Sequence, residues 1–308
     1  MLKLIVLGAG AGGGFPQWNS AGPGCRRARA GDPAALPRTQ CSLAASADGE
    51  RWVLLNAAPE LLAQIAATPA LHPRGDAVRH SPIAAVVLTG GEVDTLAGLL
   101  SLRERHAFAL HGAVPTLAVL DANPIFRALD PALVPRRALP VGTPLALRDA
   151  AGTALGLTVE AFAVPGKVPL FLERGEDPGR ADDGETIGLS LRAGDGPAAF
   201  FIPGCAALTP ALRERLRGAA LVFFDGTLWR DDEMIRAGAG PKTGARMGHM
   251  SIDGPDGTLA GFAGLGVARP VLVHLNNTNP VLLADSPERA AVVAAGWTVA
   301  EDGMEFTV

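Results

Sequence analysis

No stretch of this 308-residue chain approaches the roughly 18 uninterrupted apolar residues that a membrane-spanning helix needs. The apolar start, residues 2–7, carries a lysine and runs straight into glycines. It is too short for the core of a signal peptide and lacks the small-residue cleavage site. Long basic runs are missing and the net charge is −4, so the composition marks no nucleic-acid surface. Cysteine is scarce: Cys25, Cys41 and Cys205 are odd in number and unpaired in spacing, which argues against a disulfide framework and fits a reducing compartment. Neither an internal repeat nor a clean linker divides the chain. These absences lead us to expect a soluble, cytoplasmic protein with no membrane or nucleic-acid partner.

What is present is enough apolar content, 48% of residues, to build a substantial core without staples. Apolar runs at 2–7, 83–88, 220–224 and 271–274 read as buried strands, and 40–45 with 52–55 as a hairpin around Asp48-Gly49. Residues 114–119 read as a further strand, and 145–147, 157–164, 185–191 and 198–202 as strands of a second sheet. Helices are expected at 59–67, 96–105, 123–129, 210–217 and 287–295. Residues 15–39 form a long polar loop, 173–184 a charged insertion, and 297–299 with 304–308 a closing hairpin. Strands with interspersed helices, taken up again after about residue 155, imply an α/β fold of two sheets with helices outside, a four-layer αββα sandwich.

Three segments carry the chemistry: Phe223-Phe224-Asp225-Gly226-Thr227, Gly248-His249-Met250-Ser251 and Val273-His274-Leu275-Asn276-Asn277-Thr278-Asn279-Pro280. Asp225 and His274 stand where apolar runs end, and a rigid sheet fixes the separation of residues so placed. His249 joins them as a third metal-competent side chain, and Asp94, six residues beyond the strand at 83–88, is the expected fourth. Asp94 alone would suit a helix N-cap, a task Thr95 can also perform. His72, His80, His106 and His111 lie in polar or loop contexts and read as solvated. The cluster Asn276, Asn277, Thr278 and Asn279 can cap turns or orient a ligand. Gly8-x-Gly10-x-x-Gly13 fits a dinucleotide fingerprint after a strand, but Phe15-Pro16-Gln17-Trp18-Asn19 follows without helical periodicity, so no helix N-terminus meets a pyrophosphate.

These segments resemble the metallo-β-lactamase superfamily. Val86-Val87-Leu88-Thr89 followed by Asp94 and Gly98-Leu99-Leu100 is similar to its metal-binding loop, Asp225 to its bridging aspartate and His274 to its final histidine. His249 resembles the extra histidine of the transfer-RNA-processing branch. Within the superfamily, the family of B proteins of pyrroloquinoline quinone biosynthesis is the nearer likeness. It is carried by Gly13-Gly14-Phe15-Pro16-Gln17-Trp18-Asn19, Pro37-Arg38-Thr39-Gln40, Pro203-Gly204-Cys205-Ala206, Phe224-Asp225-Gly226-Thr227-Leu228-Trp229, Gly248-His249-Met250-Ser251 and the segment from His274 to Pro280.

The resemblance implies one metallo-β-lactamase-like domain over residues 1–308. Gly90 and Glu92 stand where the superfamily has its first two histidines, and Thr95 replaces the last, which empties the first metal position. The remaining set, Asp94, Asp225 and His274 with His249 completing or flanking it, implies a single metal. Few histidines and two carboxylates favour Fe(II) over a dinuclear zinc site. Family members often carry a cysteine cluster after Gln-Trp-Asn; here Ser20, Ala21, Gly22, Pro23 and Gly24 fill it and only Cys25 remains, so no structural zinc is expected. The activity implied is an iron-dependent hydroxylase that uses O2 on the tyrosine ring of a cross-linked Glu-Tyr unit. His249 would ligate or move protons, Trp18, Arg38 and Gln40 would cover the substrate with Arg38 pairing its carboxylates, and Asn276 and Thr278 would shape the site. Other enzymes of the pathway are the partners this implies. A metal-dependent hydrolase and a non-catalytic carrier of the quinone or its precursor are the competing readings.

Overall fold

The computed structural model describes residues 1–173 and 184–308; of the insertion read at 173–184, only the two end residues lie within the described part. One sheet is built from β1 (Lys3–Gly8), β2 (Ser42–Ser46), β3 (Trp52–Leu55), β4 (Ile83–Leu88), β5 (Ala109–Gly112) and β6 (Arg136–Ala138). A second holds β7 (Leu145–Arg148), β8 (Ala154–Ala163), β9 (Ile187–Ala193), β10 (Ala199–Ile202), β11 (Leu221–Asp225), β12 (Pro270–Val273) and β13 (Thr298–Val299). The last strand, β14 (Glu305–Thr307), returns to the first sheet and pairs with β1.

Both sheets repeat one scheme of three antiparallel pairings followed by three parallel ones. In the first the order is β14-β1-β2-β3-β4-β5-β6, with β3, β4, β5 and β6 parallel. In the second it is β7-β8-β9-β10-β11-β12-β13, with β10, β11, β12 and β13 parallel.

The apolar runs are continuous because the strands are covered on both faces. Along β4, Ala85 and Val87 enter the core between the sheets, while Val86 and Leu88 enter an outer core with Leu61, Leu96 and Leu120. In β11, Phe223 points between the sheets and Phe224 toward the outer layer that contains Leu212, Phe262 and Val292. Both rings are fully buried, and each contributes on the order of 2–3 kcal/mol of transfer free energy. This anchoring fixes the strand end that carries Asp225. The result is the αββα sandwich expected from the sequence.

Four local expectations need correction, the first being the long loop read at 15–39, which holds the short helix Pro23–Arg29. Residues 114–119 are not a strand: the strand is β5, and Val114–Ala122 is a helix with Pro115 in its first turn, where the missing N–H costs nothing. The helix read at 96–105 is one α-turn, Val93–Leu96, that tightens into the 3-10 stretch Ala97–Leu102. The closing hairpin does not form, because β13 pairs parallel with β12 and β14 antiparallel with β1, in different sheets. Among the described residues no helix is long and apolar enough to cross a membrane.

Candidate metal centre

Parallel strands leave their carboxyl ends at one edge of a sheet, the usual location of sites in open α/β sheets. Asp225 is the last residue of β11, and His274 follows β12 directly. His274 has φ +58°, a left-handed conformation uncommon outside glycine and a frequent mark of functional positions. Asp94 comes from the turn Val93–Leu96 beyond β4. That turn is held against the first sheet at Gly98, whose N–H donates to Ala57 O at 2.8 Å and where a Cβ would lie 2.1 Å from Ala58 O. His249 follows the short helix Gly244–Met247, which Thr243 caps and Gly248 ends in the left-handed conformation at φ 85°. The Met250 N–H donates to Cys205 O and locks this loop to the end of β10.

The four side chains converge. Asp225, His249 and His274 each offer a ligand atom within 4.8 Å of the others. Asp94 Oδ2 lies 3.1 Å from His274 Nε2, and the imidazoles of His249 and His274 stack at 5.1 Å between centroids. Thr227 Oγ1 sits among them, 2.6 Å from Asp225 Oδ1, 2.8 Å from His274 Nδ1 and 3.0 Å from His249 Nδ1.

One assignment of protons satisfies these contacts. The single Thr227 hydroxyl proton goes to Asp225 Oδ1, and the hydroxyl oxygen accepts from His274 Nδ1–H. The His249 Nδ1–H donates to Asp225 Oδ2 at 2.7 Å. The backbone N–H groups of Cys205 and Thr227 also donate to Asp225, at 2.8 and 3.0 Å. Asp225 therefore accepts four hydrogen bonds, and His249 keeps an Nε2 lone pair for a ligand; His274 donates its Nε2–H to Asp94 Oδ2 and must give up that proton before Nε2 can ligate.

Burial acts to raise the pKa of Asp94, but the hydrogen bond and charge of His274 and the charge of His249 outweigh it and hold the carboxyl below its usual range. Asp225 is fully buried, yet His249, His274 and Thr227 likewise keep it low. Burial would lower His274; Asp94, Asp225 and Glu92 reverse that and raise it. Two ionised carboxylates facing two imidazoles form a hard-to-borderline donor set that suits a divalent first-row metal. The thiol of Cys41, buried nearby, is pushed up by burial and by Asp94, and the cluster of ligand atoms among the described residues includes no cysteine.

The other expected site residues divide. Arg38 is corrected: its guanidinium is 2% exposed, paired with Glu301 at 2.8 Å and bonded to the carbonyls of Leu36, Pro37 and Ala300, so it is committed to the fold rather than to a substrate carboxylate. Gln40 is corrected for the same reason, since it is buried and its Nε2 donates to both oxygens of Glu60. Trp18 projects outward, 85% exposed. Asn276 donates to Thr278 Oγ1, and Thr278 donates to Glu233 Oε1. Thr278 also lines a cavity of about 490 Å³ with Gln17, Asn19, Met234, Asn277 and Leu283. Cys25 is buried and its thiol donates to Asn277 Oδ1. His111 is corrected as well: it is buried on β5 and burial pulls its pKa down to about 4.

Sequence reasoning missed Thr227, although a hydroxyl two residues beyond a strand-end carboxylate was the available signal. It also missed Glu233, which burial raises to about 7 against the hydrogen bonds of Thr278 and Trp229.

Comparison with known proteins fits this arrangement. The Beta-lactamase superfamily domain matches residues 51–275. Coenzyme PQQ synthesis protein B of Gluconacetobacter diazotrophicus is 61% identical over 308 residues, covering all of both chains. Its namesake from Xanthomonas campestris pv. campestris is 55% identical over 309 residues, again covering both chains fully. Among solved structures, Zn(2+)-bound PqqB from Methylobacterium extorquens superposes with a TM-score of 0.94 at 46% identity, covering 99% of this chain and 100% of that one. A diphosphatase of the PhnP family, 20% identical with a TM-score of 0.67 and covering 100% of this chain and 98% of its own, shares the fold.

Proposed function

Because the chain belongs to the coenzyme PQQ synthesis protein B family, on the metallo-β-lactamase fold, we propose that it is an iron-dependent hydroxylase. Its substrate is a cross-linked Glu-Tyr precursor of the quinone, and oxygen is added to the tyrosine ring. The observation that carries this reading is the donor set itself. The loop Gly90-Gly91-Glu92-Val93-Asp94-Thr95 brings only Asp94 to the two imidazoles and Asp225, which supports one metal and not a two-metal hydrolase.

Asp94, His274 and His249, together with Asp225, would hold one Fe(II). When bound, that ion supplies the redox chemistry by which O2 reacts with an aromatic ring, and two histidines with a carboxylate are the donors non-haem iron oxygenases use. Asp225 orients rather than waits: its four accepted hydrogen bonds fix His249 and Thr227, and it ligates only by releasing one of them. Thr227 sets the ring angle of His274 through Nδ1. His249, with Nδ1 held by Asp225, has only Nε2 to offer, so it would either ligate the metal or take and return the phenol proton.

The test is O2 consumption by anaerobically Fe(II)-reconstituted protein given the cross-linked Glu-Tyr dipeptide, compared with His274→Ala. Substrate-dependent uptake lost in the variant supports the hydroxylase. No uptake with iron and substrate both bound overturns it in favour of a carrier, and zinc-dependent hydrolysis would favour a hydrolase.

A further inference from the structure

A substrate built from glutamate and tyrosine carries several carboxylates, and the Arg38 guanidinium is already paired with Glu301 and three backbone carbonyls. We propose that Lys167, Lys242 and Arg246 form the subsite for a substrate carboxylate, and that the carboxylate of Glu173 holds this subsite in the free protein. The identity of the ligand rests on the hydroxylase reading above; the anion subsite stands on its own geometry.

Glu173 Oε1 lies 3.1 Å from Lys167 Nζ, and its Oε2 lies 3.1 Å from both Lys242 Nζ and Arg246 Nη2. The Glu173 side chain is 7% exposed, whereas Lys242 and Arg246 remain 32% and 25% exposed, so solvent reaches both of these cations. Burial acts to raise the Glu173 carboxyl, but the contacts of Lys167, Lys242 and Arg246 outweigh it and hold the pKa at about 2. Two charge-assisted hydrogen bonds on Oε2 and an ion pair at Oε1, whose own hydrogen-bonding capacity is unused, are contacts a bound acid would receive.

The cluster is joined to two of the four segments that form the metal centre, those of Asp94 and His249. Lys167 Nζ also donates to Glu92 Oε1 at 2.9 Å, and Glu92 stands two residues before Asp94. Lys167 packs on Gly248, next to His249: a Cβ there would come 3.1 Å from Lys167 Cγ. Arg246 lies on the short helix leading into His249. The carboxylates of Glu92 and Glu173 balance two of the three cations. Exchanging the Glu173 carboxylate for one from the substrate preserves that balance, so the exchange leaves no buried charge unpaired.

The experiment is calorimetric binding of the cross-linked Glu-Tyr dipeptide, and separately of glutarate, to metal-free protein. Glu173→Gln keeps the side-chain volume and removes the internal competitor; it should bind both compounds about tenfold tighter than wild type. Adding Arg246→Gln should abolish the gain. Lys242→Gln in the wild-type background, a milder change at a partly exposed residue, should weaken dipeptide binding severalfold. Unchanged affinities in Glu173→Gln, or in Lys242→Gln should Glu173→Gln not fold, overturn the proposal and leave the cluster a loop fastener. The two readings fail separately. Glutarate affinities that shift as described, with no dipeptide oxidation by the iron-loaded protein, keep the subsite and remove the hydroxylase. Dipeptide turnover with affinities indifferent to these substitutions does the reverse.

Discussion

The Thr227 hydroxyl lies 2.8 Å from His274 Nδ1 while its own proton serves Asp225 Oδ1 at 2.6 Å. A single hydroxyl thus ties the strand-end carboxylate of β11 to the imidazole beyond β12. Thr227→Val keeps the branched shape and removes that link. We expect about a 10- to 100-fold loss of metal affinity, the range found when partners of metal ligands are removed. Loss of a buried partner should also cost on the order of 1–3 kcal/mol of stability. Metal titration and chemical denaturation of the variant check both.

Gly98 holds the Asp94 turn by close approach of backbone to backbone. Gly98→Ala would place a methyl 2.1 Å from Ala58 O, so the turn must move. The expected outcome is overpacking of about 1–3 kcal/mol together with weakened metal binding. An alanine variant that binds metal as wild type does would show that the turn is not positioned at this contact.

Arg38 separates a structural arginine from a substrate-binding one. Arg38→Met strips partners from Glu301 and from the carbonyls of Leu36, Pro37 and Ala300, and should cost about 3 kcal/mol. Substrate affinity of the folded protein should stay unchanged. Denaturation midpoint and KM, measured on the same preparation, distinguish the two roles.

Glu233 gives a pH signature. Its carboxyl has a raised pKa of about 7 in the folded protein, against 4.5 when free. Between those values the folded state holds more protons than the unfolded, so stability is complete below about pH 4.5 and declines as pH rises toward 7, by at most about 1.4 kcal/mol per unit. Glu233→Gln should flatten that part of the profile, read by denaturation across the same window.

The fold was legible where strands are buried on both faces, because a continuous apolar run such as Leu221-Val222-Phe223-Phe224 admits few other interpretations. The candidate metal ligands were legible for the same reason, since Asp225 and His274 stand at the ends of such runs. Partnerships set by distant segments were not. Arg38 meets Glu301, and Gln40 meets Glu60, through packing that no local spacing records. His111 is one polar residue in a four-residue strand, too short for its burial to register as a pattern. Val114–Ala122 is rich in valine and leucine, which suit a strand as readily as a helix, and only its Pro115 pointed to a first turn. The chain end shows a related limit, as two short strands close in sequence join different sheets.

The central claim, that oxygen from O2 enters the tyrosine ring at this centre, is tested most directly by isotope. The Fe(II)-loaded protein is given the cross-linked Glu-Tyr dipeptide under isotope-labelled O2, and the product mass is compared with that formed in labelled water. We expect the heavy isotope to enter the ring from O2, and none to enter in His274→Ala. A product labelled only from water, or none at all with iron and substrate bound, would contradict the hydroxylase.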